Sequence, residues 1–244
     1  PEAGGNGRRG GGPEAGGNGR ADLLVEEFVP GAEVAVEGLL RDGRLEVLAV
    51  FDKPDPLDGP YFEETLYVTP SRLPAAALED VTSVTGRACA ALGLAEGPVH
   101  AELRVRSGST RAVLIEVAAR SIGGLCSRSL SFGTGRSLEE IIVAHALGQP
   151  LGEISREDQA AGVMMLPIPT AGTLVGVGGQ ETARAVPGIT AVEISVLPGR
   201  PVVPLPEGDR YLGFVFARGA GPDQVEASLR AAHAALDIRI SPAQ

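Results

Sequence analysis

In the run Val99-His-Ala-Glu-Leu-Arg-Val105, the side chains of His100, Glu102 and Arg104 stand two residues apart. On a strand they share one face, with Ala101, Leu103 and Val105 on the other. A second β-rich run, Ala112-Val-Leu-Ile-Glu-Val117, follows across the polar turn Ser107-Gly-Ser-Thr110 and carries Glu116 at the end of its apolar stretch. A carboxylate buried there needs a cation, a hydrogen bond or a proton. If residue 107 pairs with residue 111 across a three-residue turn, Glu102 falls opposite Glu116 and both project from one face. Two carboxylates that close repel, so one takes up a proton or a divalent cation neutralises both. Magnesium suits such a pair, because it combines one or two carboxylates with phosphate oxygens. A register slip of one residue would separate the two. A surface ion-pair network on a plain hairpin is the competing reading. Arg120 and the pair Gly123-Gly124 follow closely, offering a permanent cation and backbone N–H donors to an anion.

The surrounding pattern shows which elements must position these groups. Leu23–Val29, Glu33–Leu40 and Leu45–Phe51 read as strands, the last two divided by Asp42-Gly43, a strong hairpin signal. Asp52 to Pro60, with three prolines and a glycine, reads as a loop. Pro74 to Gly93 carries Leu78, Val81, Val84, Ala88 and Leu92 near helical spacing and reads as an amphipathic helix. Ser137-Leu-Glu-Glu140 has the pattern of a capping box, opening a helix that runs to Leu147. A domain boundary is expected just after it. Short β-like runs then cover Gly162–Pro167, Gly172–Val177, Ala191–Leu197 and Tyr211–Ala217, and a last helix covers Asp223–Leu236.

The 244 residues carry 21 basic and 31 acidic side chains, with a net charge of -10. No stretch gathers Arg and Lys with aromatics, so no nucleic-acid partner is expected. Cys89 and Cys126 lack metal-ligand spacing, which with the absence of any apolar run long enough for a membrane span or leader reads as a soluble cytoplasmic protein with no membrane partner. Residues 1–21 hold a repeat, Pro-Glu-Ala-Gly-Gly-Asn-Gly-Arg, twice over, and read as a disordered Gly-rich tail or linker rather than a phosphate-cradling loop. The chain starts at Pro1, so a fragment of a longer protein is expected. His100, His145 and Met164-Met165 read as structural, and His233 as lying on an exposed or half-exposed helix. Lys53, the single lysine, reads either as an exposed loop residue or as a substrate-facing group beside Glu63 or Glu64. No serine has the context of a hydrolase nucleophile.

Taken in order, Leu24-Val-Glu-Glu-Phe-Val-Pro-Gly-Ala-Glu33, His100-Ala-Glu-Leu-Arg104 and Glu116-Val-Ala-Ala-Arg120 with Gly123-Gly124 resemble the C-terminal half of an ATP-grasp enzyme, most closely the carboxylate-amine ligases of the L-amino-acid ligase type. Gly172-Thr-Leu and Tyr211-Leu-Gly-Phe214 resemble the C-terminal domain of those ligases. The resemblance implies an α+β chain: the C-terminal lobe of the ATP-grasp fold over 22–150, a largely antiparallel sheet with helices, followed by a small α+β domain over 151–244. It implies ATP and magnesium as cofactors, with manganese as a substitute. Glu26, Glu27, Phe28 and Val29 would read the adenine and Glu33 the ribose. Glu102 and Glu116 would be the metal ligands and Arg120 the catalytic cation. Lys53, Glu64, Gly123 and Gly124 would face the small-molecule carboxylate and amine substrates, which would be joined through an acyl phosphate. Homo-oligomer formation stays open.

The sequence departs from the family pattern at Ala118, where relatives often carry an asparagine that binds a further metal, and in holding nothing before residue 21 that resembles the amino-terminal domain or the phosphate-loop lobe. A non-catalytic remnant that keeps the fold as a nucleotide-binding or assembly module is the alternative reading.

Overall fold

The computed structural model describes residues 25–56, 64–133 and 135–242; the glycine-rich repeat and Glu63 lie outside the described residues. In chain order the elements are β1 (Gly31–Arg41), β2 (Arg44–Lys53), β3 (Leu66–Thr69), α1 (Ala75–Ala91), β4 (Gly97–Arg106), β5 (Ala112–Ala118), a 3-10 turn (Cys126–Ser129), α2 (Leu138–Ala146), β6 (Ala160–Leu166), β7 (Gly172–Gly178), α3 (Gln180–Arg184), β8 (Ile189–Ile194), β9 (Pro201–Val202), β10 (Gly213–Gly219), α4 (Pro222–Ala234) and β11 (Asp237–Pro242). The chain is α+β, built on an eight-stranded sheet in the order β5-β4-β1-β2-β3-β6-β10-β8, with a small sheet β11-β7-β9 beside it. Every strand pairing is antiparallel.

Local chemistry accounts for most of these elements. Asp42 and Gly43 both take positive φ, 50° and 73°, the two-residue turn whose twist suits a hairpin. Ser137 and Glu140 cap α2 reciprocally, satisfying two N-terminal donors. On α1, Ala77, Val81, Thr85 and Cys89 form the buried stripe. Ala77 and Val81 pack with Val34, Val36, Ala101, Leu103 and Val105 on one face of the sheet, and Cys89 packs with Leu40 and Val99. Over β6 the same face takes α4 instead, and Gly162 allows the approach, since a Cβ there would meet Val225 at 2.8 Å. The opposite face carries Phe51, Tyr67, Val163 and Met165 against Phe132, Leu138 and Ile141.

Several expectations are corrected. Residues 25–30 form no strand, so the run expected over Leu23–Val29 is not part of the sheet where it is described. Asp52 and Lys53 are the last residues of β2, not the start of a loop. The strand holding His100 is interior, between β5 and β1. Strands β3, β9 and β11 and helix α3 lack a clear sequence signal, being four, two, six and five residues long. Across residue 150 the strand ladder is continuous. Strand β3 pairs with β6, so segments on both sides of that position build one sheet. Arg72 reinforces the join, reaching Asp52 at 2.7 Å and Asp223 and Glu226 at 2.8 Å, as does Arg230 with Asp55 at 2.6 Å.

Two irregularities decide which side chains share the second face. In β2 the pairing with β1 shifts between Glu37 and Gly38, leaving Leu48 as an extra residue. In β5 the pairing with β4 shifts between Glu102 and Leu103, leaving Ile115 as the extra residue. A bulge of this kind turns the rest of its strand over. Leu103 is fully buried under α1, whereas Ile115 on the next strand is 46% exposed. Leu103→Ala should therefore cost about 2–5 kcal/mol of stability and Ile115→Ala under about 0.5 kcal/mol, read by urea unfolding.

Candidate functional site

The second face of the sheet between β5 and β3 is lined by charge, and register places it. Glu33 lies opposite Lys53 on β2 and Arg104 on β4, Glu37 lies opposite His100, and Ala35 lies opposite Glu102. Contact follows register. Lys53 Nζ donates to Glu33 Oε1 at 2.8 Å, contacts Glu102 Oε2 at 3.1 Å and bonds Glu64. Arg104 donates from Nε to Glu33 Oε2 at 2.7 Å and from Nη1 to the Val29 carbonyl at 3.0 Å. His100 bridges two carboxylates, bonding Glu37 through Nδ1 and Glu102 Oε1 through Nε2 at 3.2 Å. Glu37 Oε2 accepts from the Ile122 backbone N–H at 3.0 Å, tying this network to the loop that leaves β5.

Glu37, Lys53, His100 and Arg104 are buried and Glu33, Glu64 and Glu102 half-buried, so their protonation depends on one another. Burial works against ionised Glu102, but His100 and Lys53 outweigh it and hold the carboxyl at about 2. Burial also disfavours charged His100, yet its bonds to Glu102 and Glu37 lift it to about 9. For Glu37, burial prevails and pushes the carboxyl up against the pull of His100. The same holds for Glu64 against Lys53. Lys53 is lifted, because Glu64, Glu102 and Glu33 overcome the cost of burying its ammonium. Tyr67, buried near Glu64 and Glu102, is pushed well above the usual phenol range. Lys53, Arg104 and His100 are thus set among Glu33, Glu37, Glu64 and Glu102 on one face.

Beside this network lies a cavity of about 510 Å³, walled by Glu26, Glu27, Phe28 and Val29 on one side and Val113, Leu114 and Ile115 on the other, with Glu33, Glu64, Glu102 and Arg104 at its base. Phe28 is half exposed, and the Arg104 guanidinium lies 4.8 Å from its ring centroid. The cavity thus joins apolar walls to a charged floor, the form of a site for a flat heterocycle bearing anionic groups.

Glu102 and Glu116 are directly opposite. The route to that pairing is not the three-residue turn. Arg106 N–H bonds the Arg111 carbonyl at 3.0 Å, closing a four-residue turn, and the extra residue Ile115 restores the pair. Glu116 itself is exposed, with Arg120 Nη2 at 3.8 Å, so the buried, partnerless carboxylate expected there is not found. Lys53 is likewise not an exposed loop residue; its side chain is 3% accessible. Arg120 is exposed and donates to the Ser121 carbonyl at 3.0 Å. Gly123 and Gly124 follow it, and Gly124 takes a φ of +61° with open space around Gly123. His145 pairs with Glu96 at 3.1 Å away from the site, and Met164 and Met165 are buried. Sequence reasoning gave no role to Glu37, Arg104, Tyr67 or Ile115. Arg104 was marked only as sharing a face with His100 and Glu102, and the shared parity of Glu33 and Glu37 on β1 is the one signal that could have pointed to Glu37.

Glu102 and Glu116 place two carboxylates at facing positions on neighbouring strands, a donor type that fits a hard divalent cation. Residues 13–129 match the family model of the ATP-grasp domain, and residues 164–241 match the L-amino acid ligase C-terminal domain 2. The chain thus carries an ATP-grasp domain followed by an L-amino acid ligase C-terminal domain. The structure of an L-amino acid ligase from Bacillus licheniformis superposes with a TM-score of 0.76 at 28% identity, covering 88% of this chain and 53% of that one. Carnosine synthase 1 of Gallus gallus is 37% identical over 148 residues, 59% of this chain and 16% of its own length. A Sinorhizobium fredii (strain NBRC 101917 / NGR234) protein, described as uncharacterized protein y4rH, is 26% identical over 222 residues, 91% of this chain and 45% of its own. This chain therefore spans about half the length or less of these relatives. No helix among the described residues is long and apolar enough to cross a membrane.

The His100 network carries a sign for pH dependence. Its folded value near 9 lies above the unfolded 6.5, so its stabilisation is complete below about pH 6.5 and is lost as pH rises through 9. At most it amounts to about 3 kcal/mol. NMR titration of the imidazole should give a midpoint near 9, and His100→Gln should flatten the alkaline fall in unfolding free energy between about pH 6.5 and 9.

Proposed function

We propose that this chain forms the nucleotide- and metal-gripping part of an ATP- and magnesium-dependent ligase that joins a small carboxylate, an amino acid by family resemblance, to an amine. The observation that carries this reading is the facing pair Glu102 and Glu116 beside a cavity with apolar walls. In this reading the adenine lies between Phe28 and the Leu114–Ile115 edge, with Glu26, Glu27 and the backbone of Phe28 and Val29 reading its polar rim. Glu33 faces the ribose; its oxygens are held by Lys53 and Arg104, but each keeps a lone pair for a hydroxyl. Glu64 and Lys53 border the place of the amino-acid substrate, and Gly123 and Gly124 offer N–H groups to its oxygens or to phosphate.

The chemistry is two displacements. The substrate carboxylate attacks the γ-phosphorus of ATP and ADP leaves; the amine then attacks the acyl carbon and phosphate leaves. Magnesium, when bound by Glu102 and Glu116, neutralises charge on the phosphates. Arg120, exposed and in the loop four residues past Glu116, is free to swing from the Ser121 carbonyl onto the transferring phosphoryl group, where a planar permanent cation suits its oxygens. His100 and Lys53 keep Glu102 ionised, and Glu37 anchors His100 to the Ile122 backbone. Ala118 favours a second reading, a nucleotide-binding module that has lost turnover.

Calorimetric titration of MgATP into the chain tests the binding part. Saturable binding that EDTA abolishes, and that weakens by more than about tenfold in Glu102→Gln and in Glu116→Gln, is the expected result. Equal affinity in both variants sinks the metal assignment. ADP release on adding amino acids to the longer protein separates the ligase from the binding module.

A further inference from the structure

The oxygens of Glu33, Glu64 and Glu102 lie within 4.8 Å of one another, close enough to hold a metal ion. A cation is already there. Lys53 Nζ reaches all three carboxylates, two of them at 2.8 and 3.1 Å, and the Tyr67 ring closes the cage with its centroid 5.4 Å from the ammonium. An ammonium has three N–H donors, and here there are three carboxylates to receive them. The strand register fixes the arrangement, since Lys53 stands directly across from Glu33, and the small Ala35, two residues along β1 from Glu33, is the position opposite Glu102. A divalent ion entering the trio would have to expel a side chain that is 3% accessible. On β5, the residue opposite His100 is Ala118, which supplies no oxygen for a further ion.

We infer that Lys53 occupies the place a divalent cation would take among Glu33, Glu64 and Glu102, so that this acidic face holds a single divalent ion, at Glu102 and Glu116, where the carboxylates alone would hold two. The inference rests on the metal reading of Glu102 and Glu116 for the outer ion and on contacts within the protein for the inner site. Lys53 is thus a positioning residue: it supplies fixed positive charge behind Glu102 and leaves that carboxylate's further coordination to the mouth of the cavity. Relative to a second metal, it makes the inner charge independent of metal concentration.

Manganese serves as the probe. The full chain is titrated with Mn2+ and the free ion followed by electron paramagnetic resonance, with circular dichroism as the check on folding. Wild type should bind one ion, Lys53→Met two, and the double variant Lys53→Met with Glu64→Gln one again. A folded Lys53→Met that binds no additional ion overturns the inference. A wild type that binds none while Lys53→Met gains one removes the reading of Glu102 and Glu116 but leaves the inner assignment standing. A wild type that binds one ion, loses it in Glu116→Gln and gains nothing in Lys53→Met does the reverse. Should Lys53→Met fail to fold, wild type answers alone, because Lys53 is the only ε-amine in the chain. Its acylation by an N-hydroxysuccinimide ester, read by mass spectrometry, should be slow and unchanged by saturating Mn2+. A tenfold or greater acceleration would show that the metal displaces the ammonium and would overturn the proposal.

Discussion

Ionised groups on the buried face of a sheet persist only if each finds its counter-charge within a few ångströms, and in an antiparallel sheet that distance is set by register. Here register supplies it directly. Glu33 faces both Lys53 and Arg104, and Glu37 faces His100. The rest of the site is built around those cross-strand pairs. The face opposite them is apolar and carries α1, so the charged side chains are held by strands whose backbones are themselves clamped by packing. Removing one partner would leave a buried charge uncompensated, which costs far more than an exposed pair contributes. The contrast with Arg120 and Glu116 is instructive. Those two are exposed, 3.8 Å apart and loosely held, as suits groups whose partners arrive with a ligand.

Much of the fold was legible in the sequence because its signals were local. The Asp42-Gly43 turn, the capping box at Ser137 and the apolar stripe of α1 each depend on a few neighbouring residues, and all three are present. The site was legible in part, since His100, Glu102 and Arg104 do share a face. What the sequence could not show were the two bulges. Counting back from a two-residue turn at Asp42-Gly43 places Glu33 opposite Asp52, and only the extra Leu48 brings Lys53 into line. In the same way, the facing of Glu102 and Glu116 arises from a four-residue turn and an extra Ile115, two departures from the simplest hairpin that cancel. A bulge reflects packing on both sides of a strand, and neither Leu48 nor Ile115 differs in type from its neighbours. Lys53 was misread for a related reason. Its sequence surroundings are polar and rich in proline, while its burial comes from strands distant in the chain.

The two domain matches fall on two parts of one continuous sheet. The matched segments meet in space through β3 and β6, and the sheet they share has the charged cavity on its first half and Phe214 and Phe216 of β10 in the same core on its second. Arg72 and Arg230 link α4 to Asp52 and Asp55, so the end of β2 that carries Lys53 is braced by the C-terminal segment. The second segment therefore contributes to the first one's geometry without lining the cavity.

The strand order has a consequence for how the molecule forms. Strand β3 has a single ladder position with β2, Asp52 opposite Val68, but four with β6, including Thr69 opposite Ala161. The middle of the sheet is thus completed by a segment made long after its first half. While the chain is being synthesised from its amino end, β1, β2, β4 and β5 can assemble with α1, yet the flank that β6 will cover stays an open edge of unpaired N–H and C=O groups until residues 160–166 have emerged. Closing a pairing of such wide sequence separation is slow. That interval, rather than the finished protein, is when this chain is most exposed to pairing with a neighbour.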